Sequence, residues 1–281
     1  MGNKLIITAA LCGVGTSKAQ TPHVPVTPDE IAADSVNVVK AGASIIHIHV
    51  RDDEGVNTMD TERFVLVVDK VRAALAAEGL DAVLNLTTSG SKFSYEQRMA
   101  HLGVILPEMC SFDPGTMNWA NSYVFLNEPK FLEELGMKTQ EHGVKPELEI
   151  FDAGMIGNVN YYIAKGFLKT PCHIQFVLGV PGGMPGNAES LAYLLPKIPA
   201  GSTWSITGIG KSHLPCVLLG LAEGADGLRV GLEDNIFLSK GVLATNAQLV
   251  ERAASLAALA GREIATAAEA REILGIPAAH M

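Results

Sequence analysis

Two histidines, His47 and His49, stand two residues apart in the apolar run Ser44–Val50. On an extended strand that spacing puts both imidazoles on one face, where they can converge on a single metal ion. A catalytic zinc needs a third protein ligand and an open position. Glu233, at the end of a later strand-like run, is the candidate for that third place. The plainer reading is a pair of core histidines hydrogen-bonded to Glu147 or Glu149.

Glu233 is followed by a second acid, Asp234. One of the pair can bind metal while the other serves as a base; a solvated acidic turn is the bland alternative. Arg229 falls on the same strand face and offers a fixed positive charge for a carboxylate substrate. The stretch Gly179–Gly186 holds four glycines and two prolines. Such a loop exposes backbone N–H groups to a ligand, for instance around Gly182 and Gly183, or is merely a flexible connection. Gly210-Lys211-Ser212 resembles the end of a phosphate-binding loop, but Ser205 stands where that motif requires glycine.

These residues need a scaffold, and the hydrophobic pattern supplies one. Eight short β-rich runs alternate with amphipathic stretches: Leu5–Ala10, Ser44–Val50, Ala82–Thr87, Glu108–Phe112, Glu147–Phe151, His173–Leu178, Thr203–Thr207 and Gly227–Gly231. The helical stretches include Pro28–Ala41, with Thr27 and Glu30 as a capping box, Ile156–Lys165 and Lys240–Leu259. A short extra helix, Ala267–Leu274, closes the chain. Eight βα units with no linker predict a single (β/α)8 TIM barrel over residues 1–281, rather than a doubly wound sheet.

Alternation within the runs says which side chains face inward. In five of them one face is apolar and the other carries His47, His49 and Arg51, Asn85 and Thr87, Glu147 and Glu149, His173 and Gln175, or Arg229 and Glu233. The apolar face must meet the helices, so the polar face points into the barrel. Buried polar groups are costly unless they pair with each other or a metal. The pattern therefore predicts a polar cavity.

Composition narrows the partners. The 281 residues carry a net charge of −9, which disfavours nucleic acid. Charged residues are only 18%, which favours an oligomer. Cys12, Cys110, Cys172 and Cys216 form no C-x-x-C pair and read as reduced thiols of a cytoplasmic protein. No apolar run is long enough to span a membrane. The run after Lys4 reads as a buried first strand, not a signal peptide, and the residues after Gly2 do not fit myristoylation.

With these strings assembled, the chain resembles the β-keto acid cleavage enzymes, the family of 3-keto-5-aminohexanoate cleavage enzyme. The resemblance rests on Ala41–Arg51, Pro107–Met109, Gly115–Asn118, Pro146–Glu149, His173–Met184 and Gly231–Phe237. It implies that a β-keto acid and acetyl-CoA give acetoacetate and a new acyl-CoA. It further implies zinc on His47, His49 and Glu233, with Asp234 as base and Arg229 holding charge beside it. Thr87 and Ser111 fall where the family has a catalytic serine and threonine. A homo-oligomer is implied, a tetramer being one form. The rival readings are a metal-dependent barrel aldolase or hydrolase that does not use CoA, and a non-catalytic ligand-binding barrel.

One departure bears on the substrate. Gly15 stands where the family's first loop has a functional glutamate. Glycine brings neither charge nor bulk, so the expected substrate is a neutral or anionic β-keto acid, with room for a larger acyl chain. Glu147 and Glu149 are the acids that could compensate.

Overall fold

A computed structural model of the protein describes residues 4–276. Gly2, considered above for myristoylation, lies outside them. The strands are β1 (Ile6–Ala10), β2 (Ile45–Ile48), β3 (Val83–Leu86), β4 (Met109–Phe112), β5 (Lys145–Ile150), β6 (His173–Leu178), β7 (Thr203–Gly208) and β8 (Gly227–Val230). Each pairs in parallel with its sequence neighbours, and β1 pairs with β8, so the sheet closes as a barrel. Eight helices follow the strands: α1 (Pro28–Lys40), α2 (Thr61–Ala77), α3 (Tyr95–Ile105), α4 (Pro129–His142), α5 (Ala153–Ala164), α6 (Ala188–Leu194), α7 (His213–Ala222) and α8 (Asn246–Leu259). A ninth, α9 (Ala267–Leu274), is the expected extra helix.

The alternation along the strands holds. Ile46, Ile48, Leu84, Leu148, Ile174 and Leu228 join the helices in one continuous apolar core. The opposite face is apolar only at the N-terminal end of the barrel. There Ile6, Ile45, Val83 and Met109 pack against Ala270 and Leu274 of α9, which plugs that end. Farther along, the same inward face turns polar.

Capping fixes several helix starts. Thr27 accepts from Glu30 N at 3.2 Å, and the Glu30 carboxylate accepts from Thr27 N at 3.1 Å. Two boundaries differ from the sequence expectation. The helix read as Ile156–Lys165 begins at Ala153, because Asp152 accepts from Gly154 N and Met155 N. The helix read as Lys240–Leu259 begins at Asn246, where Thr245 and Gln248 form a capping box. The residues before it pair as a hairpin, Phe237–Ser239 with Val242–Leu243. Two more hairpins stand in βα loops: Val50–Arg51, read from the sequence as continuing the second strand, pairs with Asn57–Thr58, and Met117–Trp119 pairs with Tyr123–Phe125. Runs of two or three residues are too short to register as a pattern.

Candidate metal centre and active site

His47 and His49 lie at the C-terminal end of β2, with their side chains inside the barrel and 1% and 3% exposed. Glu233 reaches them from beyond β8. Its Oε1 is 3.6 Å from His47 Nε2 and 3.3 Å from His49 Nε2. Backbone geometry makes this meeting possible. Gly231 has φ +147°, and a Cβ there would lie 2.0 Å from the Ala10 carbonyl oxygen. Only glycine lets the chain leave β8 so close to β1. Gly13 on the facing loop leaves the space that the Glu233 side chain fills.

Arg229 sits below this cluster and gathers four acids. Its Nε donates to Asp234 Oδ2 at 2.9 Å, and its Nη2 donates to Asp234 Oδ1 at 3.0 Å and to Glu233 Oε1 at 2.7 Å. Its Nη1 donates to Glu149 Oε1 at 3.3 Å and lies 4.0 Å from Glu147. Thr207 donates to Asp234 Oδ2, and Asn85 to Glu147 Oε2. Burial opposes charge on Arg229, but Asp234, Glu233 and Glu149 outweigh it and hold the guanidinium well above its ordinary range. Burial pushes Asp234 up against the pull of Arg229, and Glu147 up to about 7. It pushes Glu233 up too, but His49 and Arg229 prevail and keep that carboxylate well below its usual range.

The donor set fits a divalent metal. His47, His49 and Glu233 present ligand atoms within 4.8 Å of one another. His47 Nδ1 and Nε2, His49 Nδ1 and Glu233 Oε2 are buried and make no hydrogen bond of good geometry. Burial pushes the His47 pKa down to about 3, so the ring is neutral and offers a lone pair. A cation there would also favour the ionised form of Glu147, Glu149 and Asp234, which burial pushes up. His47 belongs to a second donor group with Glu147 and Glu149. Of that group only Glu149 reaches the open cavity, whereas both His49 and Glu233 line it.

That cavity, of about 840 Å³, opens at the C-terminal end of the barrel. Arg229, Glu233, Asp234 and Glu149 line it together with Gly15, where a Cβ would meet nothing within 4 Å. Arg51, read from the sequence as one of the inward polar residues, holds the first loop in place. Its Nη2 donates to the carbonyls of Cys12, Gly13 and Thr16 at 3.1, 2.8 and 2.6 Å.

Other expected site residues lie elsewhere. Thr87 and Ser111 are set back from the cavity wall. The Thr87 hydroxyl accepts from Ser89 N, and that of Ser111 from Thr88 N, so both brace the loop after β3. Glu147 is buried beneath Arg229. Gly182 and Gly183 do not line the cavity. Gly182 has φ +99°, and a Cβ there would lie 1.9 Å from Asn118 O, while one on Gly183 would meet Phe151 O at 2.8 Å. Their bareness seats neighbouring backbone and is explained without any ligand.

Two residues escaped the sequence reading. Asp113, 2% exposed, continues the inward face of Met109 and Ser111 by one step and lines the cavity, accepting from the Ser89 hydroxyl at 2.7 Å. Its parity was the available signal. Arg98, on α3, donates to Thr88 O, Leu126 O and Asn127 Oδ1 and lies over the Phe131 ring at 3.7 Å. It ties the loop after β3 to the hairpin after β4, and nothing local in the sequence marks it.

Comparison with known proteins places this arrangement. The sequence pattern of a family described as beta-keto acid cleavage enzyme matches residues 4–276. A 3-keto-5-aminohexanoate cleavage enzyme of Fusobacterium nucleatum subsp. nucleatum is 41% identical over 277 residues, covering 98% of this chain and 99% of that one. A 3-dehydrocarnitine:acetyl-CoA trimethylamine transferase of Rhizobium meliloti is 34% identical, covering 98% and 97%. Among solved structures, apo ObcA superposes with a TM-score of 0.79 at 22% identity, over 92% of this chain and 66% of that longer protein; at that identity the likeness concerns the fold.

Proposed function

The chain belongs to the β-keto acid cleavage enzyme family, and from that premise we propose that it converts a β-keto acid and acetyl-CoA into acetoacetate and a new acyl-CoA, with zinc held by His47, His49 and Glu233. The observation that carries this reading is the convergence of His47, His49 and Glu233, with buried lone pairs left unmet on each, beside the Arg229–Asp234 pair. A zinc bound there supplies a Lewis acid that polarises a carbonyl. The remaining work falls to the chain.

Asp234 takes a proton from the carbon between the keto and carboxylate groups. Its upward-shifted pKa makes it a stronger base than an ordinary aspartate. Oδ2 receives both Arg229 Nε and Thr207, whereas Oδ1 receives only Arg229 Nη2. Oδ1 is therefore the oxygen that accepts the proton. The carbon so freed attacks the acetyl-CoA thioester carbonyl; the new C–C bond forms as the C–S bond breaks and CoA leaves as the thiolate. The CoA sulfur is then transferred to the acyl carbon of the original keto acid, and the bond between that carbon and the former CH₂ breaks. The carbanion released by that cleavage takes back the proton from Asp234, so acetoacetate leaves with the acetyl group and the acyl group leaves on CoA. Arg229 keeps Asp234 in place through two hydrogen bonds and stays charged throughout. Thr87 and Ser111 act as positioning residues, setting Ser89 at the wall.

A cytoplasmic homo-oligomer completes the reading. It is supported by four unpaired cysteines, all buried, and by the low share of charged residues. No helix among the described residues is long and apolar enough to cross a membrane. The test is a panel of β-keto acids with and without acetyl-CoA, read as acetoacetate formed. Turnover only with acetyl-CoA is expected. Cleavage that proceeds equally without it would make the protein a metal-dependent aldolase or hydrolase instead.

A further inference from the structure

The cavity has two unlike halves. Its floor is the charged cluster around Arg229. Its upper wall is aromatic: Phe93, Trp119, Tyr123, Phe125 and Phe151 all line it, in a chain only 6% aromatic. Trp119 meets Phe125 and Phe151 edge to face, with ring centroids 5.6 and 5.3 Å apart. Val14, Val56 and Tyr123 extend the apolar lining to the rim and are 42%, 60% and 42% exposed.

This wall is built to stay in place. Trp119 and Phe125 come from the hairpin after β4, which is held on two sides. Its Asn118 carbonyl packs against bare Gly182, and Arg98 donates to Leu126 O and Asn127 Oδ1 just after it. The Asn127 side chain in turn donates to Gly115 O. Phe151 is buried beneath Trp119, and its backbone carbonyl accepts from Met184 N of the glycine-rich loop. That loop, which the sequence offered as a ligand-binding loop, seats an aromatic wall.

The wall also stands at a telling distance from the chemistry. Glu149 lies on the inward face of β5 and Phe151 stands one residue past its end, so at most about 7 Å of chain separates the two. Glu149 is hydrogen-bonded to Arg229 on the floor. A group attached directly to the keto carbon of a substrate on that floor reaches the wall at once. The adenine of acetyl-CoA, by contrast, is separated from its thioester by the whole pantetheine arm. Gly15, in the same lining, leaves open space.

Resting on the function proposed above, we propose that the aromatic wall is the acyl-group pocket, and that the substrates of this enzyme are β-keto acids whose acyl group is bulky and apolar, either aryl or medium-chain alkyl. A charged acyl group would find no free partner on the floor, and Lys92, the cation of the upper lining, is exposed at the rim. Glu233, Asp234 and Glu149 are committed to Arg229, and Asp113 is buried and bonded to Ser89.

The experiment compares kcat/KM for 3-oxopentanoate, 3-oxooctanoate and benzoylacetate at fixed acetyl-CoA, with the unmodified enzyme and with Trp119→Ala and Trp119→Phe. The two bulky acids should exceed 3-oxopentanoate by about 10-fold or more, since each buried methylene adds favourable transfer energy. Trp119→Ala should bring that ratio close to one, through the KM for the keto acid. Trp119→Phe, which keeps a ring in the wall, should retain most of the ratio. Preference for 3-oxopentanoate in the unmodified enzyme would overturn the proposal. So would a Trp119→Ala defect confined to the KM for acetyl-CoA, which would assign the wall to the nucleotide. Loss of the ratio in Trp119→Phe as well as in Trp119→Ala would also count against an apolar contact. Absence of acetyl-CoA-dependent turnover on all three acids and on the wider panel would remove the underlying function and the pocket assignment together, whereas turnover without selectivity would remove the pocket alone.

Discussion

Two inward-facing histidines of this barrel have had opposite fates. His173, on β6, sits in a closed polar network. Its Nδ1 pairs with Thr203 at 2.9 Å and its Nε2 with Ser205 at 3.1 Å, and Ser205 in turn bonds Gln175. His47, on β2, has neither ring nitrogen in a good hydrogen bond. Burial pushes both down to about 3, so desolvation does not tell them apart. What distinguishes them is satisfaction. A buried polar group without a partner is expensive, and it is tolerated where a ligand will meet it. Convergence matters as well. His101 on α3 is buried with unmet nitrogens, but it stacks on Phe64 and belongs to no group of metal donors among the described residues. An unmet lone pair therefore indicates a metal only where other donors point to the same spot.

The largest expected effect comes from exchanging the two histidines as targets. Substituting His47 or His49 with Ala should remove bound zinc and bring activity to background, as measured by metal analysis and acetoacetate production. His173→Ala should instead leave the zinc content intact and lower folding stability by about 1–3 kcal/mol, the cost of stranding Ser205 and Thr203. Full activity of the His47 variant in chelator-treated buffer would break the comparison.

Next come the two adjacent acids. Asp234→Asn should lower kcat by about 10²–10⁴-fold with zinc retained, because Glu233 is untouched. Glu233→Gln should weaken metal binding first, visible as activity restored by excess zinc. If the phenotypes are exchanged, the order of ligand and base is reversed.

The smallest effect is expected at Gly15, where a side chain meets open space. Gly15→Glu should fold normally and shift relative kcat/KM toward an amino-substituted β-keto acid by about 10-fold, on the reasoning that an ammonium buried without a partner is costly. A strong preference for the amino substrate in the unmodified enzyme would show that another group already fills that role, and Asp113 would be the first to test.

The floor of the site was far more legible in the sequence than its walls. His47, His49 and Arg229 announce themselves through strand alternation, and Glu233 follows two glycine-governed steps beyond. Asp113 was missed although it obeys the same parity, because its strand was read as ending at Phe112. The hairpins that bring Trp119 and Phe125 to the cavity are too short to carry a period, and Arg98 acts through carbonyls remote in the sequence.

The sequence by itself determined the eight strands, the inward polar face, the start of α1 marked by the Thr27–Glu30 capping box and the strings that place the chain in its family. All of these are set by covalent geometry and neighbouring side chains, so they survive in a linear reading. Only the tertiary structure decided that Glu233 meets His47, that Thr87 and Ser111 brace a loop instead of lining the cavity, and that the glycine-rich loop seats an aromatic hairpin. Each of those depends on closing β1 against β8 and packing one loop on another. Such contacts join residues far apart in the chain, and no local period encodes them.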